Sequence, residues 1–241
     1  MRKSSVYRTT GIIFLAALLF IHSGISAQEA AVTPDQSDKI IERIYEKYAP
    51  AYKKYQGVLS TRQMDVIEYN PNNNKLVNRL SVRLIHKEYF YKKVEIMVLE
   101  YIKNDKPMRT SDYQGVEVGL GFPVLDDNGR ERYMARIIRR TTVNDRMCYL
   151  MKVIPRKKTD QYFDGFMYFT CETLDLVMVE GTTAELPYPM KEFSMKLYIN
   201  HIKDLPVLRN GSSIMRMYIP VLQPDRRFVT SIKVLDSEPL K

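Results

Sequence analysis

Hydrophobic residues near the start of the folded part recur at helical spacing. From Ser37 to Tyr55 they come at three- and four-residue steps, which predicts one amphipathic helix with Asp35 or Ser37 as its cap and a kink at Pro50. Because helices in proteins are stabilised mainly by packing such a stripe, we expect it to face the core and not a ligand. The stripe comprises Ile40, Ile41, Ile44, Tyr45, Tyr48, Ala51, Tyr52 and Tyr55.

After Gly57 the pattern changes to runs of β-branched and aromatic residues separated by turn-like clusters, as in an antiparallel meander. The sequence around residues 130–140 fits either a helix or a strand, and residues 115–129 form a long irregular loop. Glycine is scarce in the runs, so we expect few bulges. The predicted strands are 58–69, 75–86, 88–102, 136–143, 146–154, 165–171, 175–182, 193–203, 212–221 and 227–236.

The first residues have the form of a secretory signal peptide. Arg2, Lys3 and Arg8 precede a short apolar run, and small residues follow up to Ala27, where we expect cleavage. The apolar run is shorter than the about 20 residues of a membrane span, although an uncleaved anchor is the alternative. We therefore predict a periplasmic protein with one domain over residues 28–241.

Composition and charge narrow the class of protein. Hydrophobic residues make up 45% of the chain, with 17 Tyr, 13 Met and no Trp, enough for a well-filled core. The net charge of +9 suits an anionic surface such as lipid head groups. The basic cluster at Arg156 to Lys158 is either a solvated loop or a contact with head groups or a partner. We expect no nucleic acid as a partner of an exported protein.

Two apolar, β-rich runs, each with one cysteine, are joined by a polar connection around Lys157 to Gln161. An antiparallel hairpin that places Ile154 beside Gly165 also places Cys148 beside Cys171. Two cysteines in an exported chain favour a disulfide, and a pair of buried thiols is the alternative.

In this register both faces of the hairpin are apolar. One face carries Cys148, Leu150, Ile154, Met167 and Phe169, and the other carries Tyr149, Met151, Val153, Phe166 and Tyr168. In an antiparallel sheet with one solvent-exposed face, apolar and polar residues alternate more regularly along each strand. We therefore expect one face of the hairpin to line either an apolar cavity or a filled core. The predicted lipid-binding residues are Met97, Leu99, Leu150, Met151, Phe166, Met167, Tyr168, Phe169, Met215, Met217 and Ile219.

Candidate catalytic chemistry is sparse. The sequence has no GxSxG, P-loop, HExxH or dinucleotide motif. His86 and His201 lie in strand-like runs, where a structural role is favoured, and with the cysteines they show no metal-ligand spacing. We therefore predict no catalytic residue, no metal and no cofactor.

The hairpin region resembles the outer-membrane lipoprotein-sorting, or lipoprotein carrier, superfamily (LolA-like, LolB-like). The resemblance is carried by Asn144 to Leu150, Val153 to Lys157, Phe166 to Phe169, Glu172 to Leu174 and Val177 to Glu180. It implies a mainly β (α+β) fold: a curved, unclosed, barrel-like antiparallel sheet wrapped over an N-terminal helix and a few short helices. It also implies an apolar cavity for acyl chains in transit. Phe169 stands where the family often has Trp, and the family's gating arginine has no counterpart that we can align.

The leading hypothesis is a periplasmic, non-catalytic carrier that binds lipid or lipoprotein acyl chains for transport to the outer membrane. We expect a monomer that meets a membrane-bound delivery or acceptor protein. The alternative is a periplasmic sensor or scaffold of the same fold that binds a protein partner. An enzyme would require a convergent acid–base pair in a cleft.

Overall fold

The computed structural model describes residues 32–90, 93–113, 124–126, 128–159, 162–219 and 223–241. The predicted signal peptide, residues 1–27, and most of the predicted loop at 115–129 lie outside these residues.

The N-terminal helix α1 spans Pro34–Lys54. Thr33 is its cap, because the Thr33 hydroxyl accepts a hydrogen bond from the Gln36 N–H and the Gln36 side chain accepts one from the Thr33 N–H. The predicted caps, Asp35 and Ser37, are therefore wrong, and Ser37 has another role. Its buried hydroxyl accepts a hydrogen bond of 2.9 Å from the backbone N–H of Ile137 and so attaches the helix to the sheet.

The apolar stripe of α1 faces the core, as predicted. Tyr48 is fully buried, and Ile44 is 1% exposed. Ile41 is the exception, because it is only partly buried against the core. The other buried members of the stripe are Ile40, Tyr45, Ala51, Tyr52 and Tyr55.

The strands form one eleven-stranded antiparallel sheet. They are β1 (Gly57–Tyr69), β2 (Leu76–Tyr89), β3 (Lys93–Lys103), β4 (Lys106–Pro107), β5 (Tyr133–Val143), β6 (Arg146–Pro155), β7 (Phe163–Thr170), β8 (Leu176–Thr183), β9 (Met190–Ile202), β10 (Leu205–Ile219) and β11 (Gln223–Leu240). A short helix α2 (Gly129–Arg132) precedes β5, so the ambiguous segment contains both a helical turn and a strand. A 3-10 turn spans Thr110–Asp112.

The strand order is β4-β3-β2-β1-β11-β10-β9-β8-β7-β6-β5. Every neighbouring pair is sequential along the chain except β1 and β11, which join the two ends of the described fold. Among the described residues the outer strands β4 and β5 do not pair with each other, so the sheet is unclosed. The predicted fold class is confirmed.

The face of the sheet that contacts α1, here called the helix-facing face, is apolar across ten strands. One transverse row of directly paired residues shows this. The row runs through Ile137, Met151, Met167, Val179, Leu197, Gly211, Ile232, Met64, Val82 and Tyr101.

The predicted register of the β6–β7 hairpin is wrong by one residue. Cys148 pairs with Thr170, and Leu150 pairs with Tyr168. Since side chains alternate between faces, a slip of one residue exchanges the faces of a whole strand. Met167 and Phe169 therefore join the helix-facing core, whereas Phe166 and Tyr168 lie on the opposite, outer face.

The two cysteines are free thiols in the structure, in contrast to the predicted disulfide. Cys148 packs in an outer-face cluster with Leu150 and Tyr168. Cys171 is hydrogen-bonded to Tyr149, which packs against the helix-facing core. The register thus directs the two side chains toward opposite faces. Burial raises the pKa of both thiols.

Bulges are present despite the few glycines. The pairing shifts register at Thr61/Arg62 in β1, at Ile137/Arg139 in β5 and at Tyr168/Phe169 in β7, among other places. Bulges bend a strand and increase its twist, as a sheet that wraps around a helix requires. The expectation of few bulges is wrong, because ordinary residues also form them.

Candidate functional site

The half of the helix-facing face under α1 is filled. Met151, Met167 and Phe169, three predicted lipid-binding residues, are at most 1% exposed and belong to the core cluster that contains Ile44 and Tyr48. This half is therefore closed to water.

The other half of the same face, on β9, β10, β11 and β1, is only partly covered. In one transverse row Phe193 lies beside Met215, which lies beside Phe228. In the next row Met195 lies beside Ser213, which pairs with Thr230. Six apolar side chains near one end of these strands are partly exposed, whereas Leu197 and Leu205, farther along β9 and β10, are buried in the core. We call these six side chains the open apolar patch: Met64, Val66, Phe193, Met195, Met215 and Phe228.

Two predicted lipid-binding residues lie at this patch. Met215 is part of it, and the partly exposed Met217 continues it by pairing with Arg226 on β11. For Ile219 the structure describes only the backbone, which pairs with Gln223.

The remaining predicted residues are elsewhere. Leu150, Phe166 and Tyr168 lie on the outer face, in or against the cluster around Cys148. Met97 and Leu99, on β3, are 56% and 43% exposed. The structure therefore does not bring the whole predicted set together.

Five patch residues were missed by the sequence analysis: Met64, Val66, Phe193, Met195 and Phe228. A partial signal was present, because apolar and polar residues alternate from Gln63 to Val66 on β1 and from Phe193 to Leu197 on β9. What the sequence did not show was that β1 pairs with β11, which places these strands side by side.

Two arginine–glutamate pairs bound the apolar face. On one side Arg62 and Glu88, both less than 10% exposed, lie 3.8 Å apart, and the Arg62 side chain also donates to the Ser60 hydroxyl. Burial lowers the pKa of Arg62 to about 10, and the charge of Glu88 opposes that shift. On the other side, next to Met217, the Arg226 side chain lies 2.8 Å from Glu68.

The helix is held over its half of the sheet by a polar anchor. The buried Tyr48 oxygen accepts a hydrogen bond of 2.7 Å from the Leu176 N–H, and its hydroxyl lies 3.1 Å from both the Leu174 carbonyl and His201 Nε2. Next to it Lys47 forms an ion pair of 2.5 Å with Asp175.

The pKa shifts of Tyr48, His201 and Asp175 are those expected of groups with a structural role. Burial raises the pKa of Tyr48 and lowers the pKa of His201, so both stay neutral near pH 7. Burial alone would raise the pKa of Asp175, but hydrogen bonds from Lys47 and Thr173 outweigh it and lower the pKa. His201 is thus part of the polar anchor through its contact with Tyr48.

The outer face carries a groove of about 650 Å³ across β6 to β10. Its walls include the ion pairs Lys152–Asp164, at 2.6 Å, and Lys196–Glu180, at 3.9 Å. Its volume lies within the usual range for ligand pockets, about 300–1,000 Å³. Its lining combines these ion pairs and several serines with the apolar side chains of Phe166 and Ile214, and it also includes Phe193 and Met195 of the open apolar patch.

Two further features concern membranes and metals. Within the described ranges, no helix has the length and apolar character needed to cross a bilayer. In that same part of the chain, His, Cys, Asp and Glu side chains nowhere form a group of three or more suited to a metal ion.

No protein-family model and no curated protein matches the chain. Solved structures similar to it include a domain assigned to outer membrane lipoprotein sorting from Vibrio parahaemolyticus, at 10% identity, 86% coverage of this chain, 93% of that chain and TM-score 0.42. A LolA superfamily protein from Nitrosomonas europaea is similar at 11% identity, 85% and 93% coverage and TM-score 0.41. The Pseudomonas aeruginosa MucA/MucB complex provides a third, at 8% identity, 83% and 99% coverage and TM-score 0.26. Nothing about ligand or partner follows from identities and TM-scores this low.

Proposed function

We propose that the protein is a periplasmic, non-catalytic carrier that holds an acyl chain of a lipid or lipoprotein on the open apolar patch. The observation that carries the proposal is the contrast between the two halves of one apolar face. Under α1 that face is closed to water, whereas on β9, β10, β11 and β1 methionine and phenylalanine side chains remain partly exposed.

The chemistry of the patch suits an acyl chain. Methionine side chains are flexible and adapt to ligands without a fixed shape, and three of the six patch residues are Met64, Met195 and Met215. Each buried methylene contributes about 0.8 kcal/mol, so even a partly covered chain of ten methylenes would gain several kcal/mol.

The surroundings of the patch suggest an orientation for the ligand. The apolar end of the chain would lie toward Leu197 and the packed core, since that row leads under α1. The polar end would lie near Arg226 and Glu68, where charged groups can meet an ester or a head group. In transport to the outer membrane, an acceptor protein would then take the chain from this open end.

A direct test compares two neighbouring residues of β10 that lie on opposite faces. Met215→Lys introduces a cation into the open apolar patch, whereas Ile214→Lys introduces it on the outer face, where Ile214 is 36% exposed and lines the groove. We expect the purified protein to bind a fluorescent fatty acid, Met215→Lys to weaken that binding at least about tenfold, and Ile214→Lys to leave it unchanged. Equal effects of both variants would contradict the proposed site.

The alternative is a periplasmic sensor or scaffold that binds a protein partner. The observation in its favour is the burial under α1, where Met167 and Phe169 of the helix-facing face are closed to water. If the wild-type protein binds no fatty-acid probe and carries no lipid in native mass spectrometry after gentle purification, this alternative is the better account.

A further inference from the structure

The β5–β6 hairpin concentrates the positive charge of the chain. Residues 133–159 contain eight arginines and lysines but one acidic residue, Asp145, and thus carry a net charge of +7. The whole chain, with 37 basic and 28 acidic residues, carries +9. The remainder of the protein is therefore close to neutral, and its electrostatic attraction for anions originates mainly at this edge of the sheet.

The outer face of the hairpin combines these cations with exposed apolar side chains. Met134 on β5 pairs directly with Ile154 on β6, and the two are 47% and 39% exposed. The next outer-face pair is Arg136 with Lys152. Ile138, at the bulge in β5, is 41% exposed.

The exposed basic run Arg156, Lys157 and Lys158 follows Pro155 at the end of β6, so cations lie on both sides of the Met134–Ile154 pair. Lys152 is neutralised by Asp164 at 2.6 Å. No carboxylate in the described part of the chain forms an ion pair with Arg136 or with the run 156–158. The basic hairpin face is defined here as Met134, Arg136, Ile138, Ile154, Arg156, Lys157 and Lys158.

We propose that the basic hairpin face binds the surface of an anionic lipid bilayer. The apolar pair would enter the head-group region while the flanking cations contact lipid phosphates, the combination used by proteins that lie on membrane surfaces. A bilayer fits better than an acidic protein because the cations are exposed and lie on both sides of an apolar pair. A negatively charged bilayer surface attracts each of these cations without requiring a specific binding pocket.

This surface is distinct from the proposed acyl site in place and in chemistry. Met134 and Ile154 are on the outer face at an edge strand, whereas Met215 is on the helix-facing face near the middle of the sheet. Head-group binding at the hairpin therefore does not require that the patch hold an acyl chain, and the two proposals can fail separately.

The test is co-sedimentation of the purified protein with vesicles of phosphatidylcholine, either alone or mixed equally with phosphatidylglycerol. We expect binding to the mixed vesicles only, with a strong decrease as salt is added. The triple variant Arg156→Gln, Lys157→Gln, Lys158→Gln should bind at least about tenfold more weakly. The double variant Met134→Thr, Ile154→Thr should also bind more weakly.

The matched control removes the same charge at the far edge of the sheet through Lys75→Gln, Arg79→Gln and Lys106→Gln, three exposed residues. It should bind like the wild type. Equal weakening by the two triple variants would reduce the effect to net charge and overturn the proposal. Binding to soluble polyglutamate but not to anionic vesicles would also overturn it, in favour of an acidic protein partner.

Discussion

The Tyr48 anchor allows a sharp test of how α1 is held on the sheet. Replacing Tyr48 by Phe removes one buried oxygen and keeps the ring. The Leu176 N–H, which donates to that oxygen at 2.7 Å, then has no acceptor there, and the Leu174 carbonyl loses a donor at 3.1 Å.

Leaving a buried polar group unsatisfied costs about 1–3 kcal/mol. Because the Leu176 N–H, the Leu174 carbonyl and His201 Nε2 all lose this contact, we expect Tyr48→Phe to lower the free energy of unfolding by about 2–3 kcal/mol. A domain of this kind is stable by about 5–15 kcal/mol, so the variant should still fold. The change is measurable by urea unfolding followed by far-UV circular dichroism.

Tyr55 provides a matched control at the end of the same helix. It is 3% exposed, but its hydroxyl has no hydrogen-bond partner in the described structure. Tyr55→Phe removes a buried polar atom without breaking a bond, so stability should stay the same or rise slightly. If the two variants lose equal stability, or if Tyr48→Phe costs less than about 0.5 kcal/mol, the anchor contributes little and the reasoning is wrong.

Two other predictions concern ionisable side chains. Burial lowers the pKa of His201, although the charges of Asp175 and Asp204 oppose that shift. The unfolded chain therefore binds a proton at His201 more readily than the folded protein does. We expect the free energy of unfolding to be highest above about pH 6.5 and to decrease as the pH falls toward 5. His201→Gln should flatten that slope, and an unchanged slope in urea titrations at several pH values would show that another group is responsible. Cys148 and Cys171 should both be alkylated when the protein is denatured without reductant, because the register directs them to opposite faces. An intact mass showing a Cys148–Cys171 disulfide would mean that the register is wrong.

The elements that the sequence predicted well are those whose signal is local. The stripe of α1 was correct because residues three and four apart must share one face of a helix, so Ile44 and Tyr48 are buried together. The strands of the meander were correct in order and, apart from the two-residue β4, in number, but β10 begins seven residues and β11 four residues earlier than predicted. The helix cap was predicted wrongly because the helix begins before its apolar stripe. It starts at Pro34, and the hydrogen bonds between Thr33 and Gln36 form the cap.

The features that could not be predicted depend on distance along the chain. The pairing of β1 with β11 joins residues such as Met64 and Ile232, and nothing local specifies that contact. The register of β6 and β7 was one residue off because both faces of these strands are apolar, so the pattern gives little preference for either register. That single slip removed the cross-strand contact between Cys148 and Cys171.

The dimensions of the fold explain why an apolar patch remains beside a filled core. Eleven strands at about 4.8 Å spacing make a sheet about 48 Å across, whereas a helix is only 10–12 Å wide. Even lying obliquely, α1 cannot cover such a face, although the row from Ile137 to Tyr101 is apolar over its whole length. If packing α1 were the only demand on this face, polar side chains would be expected where the helix ends. Although Ser213 and Thr230 are polar, methionine and phenylalanine side chains extend over β9, β10 and β11, which favours a second apolar occupant next to the helix.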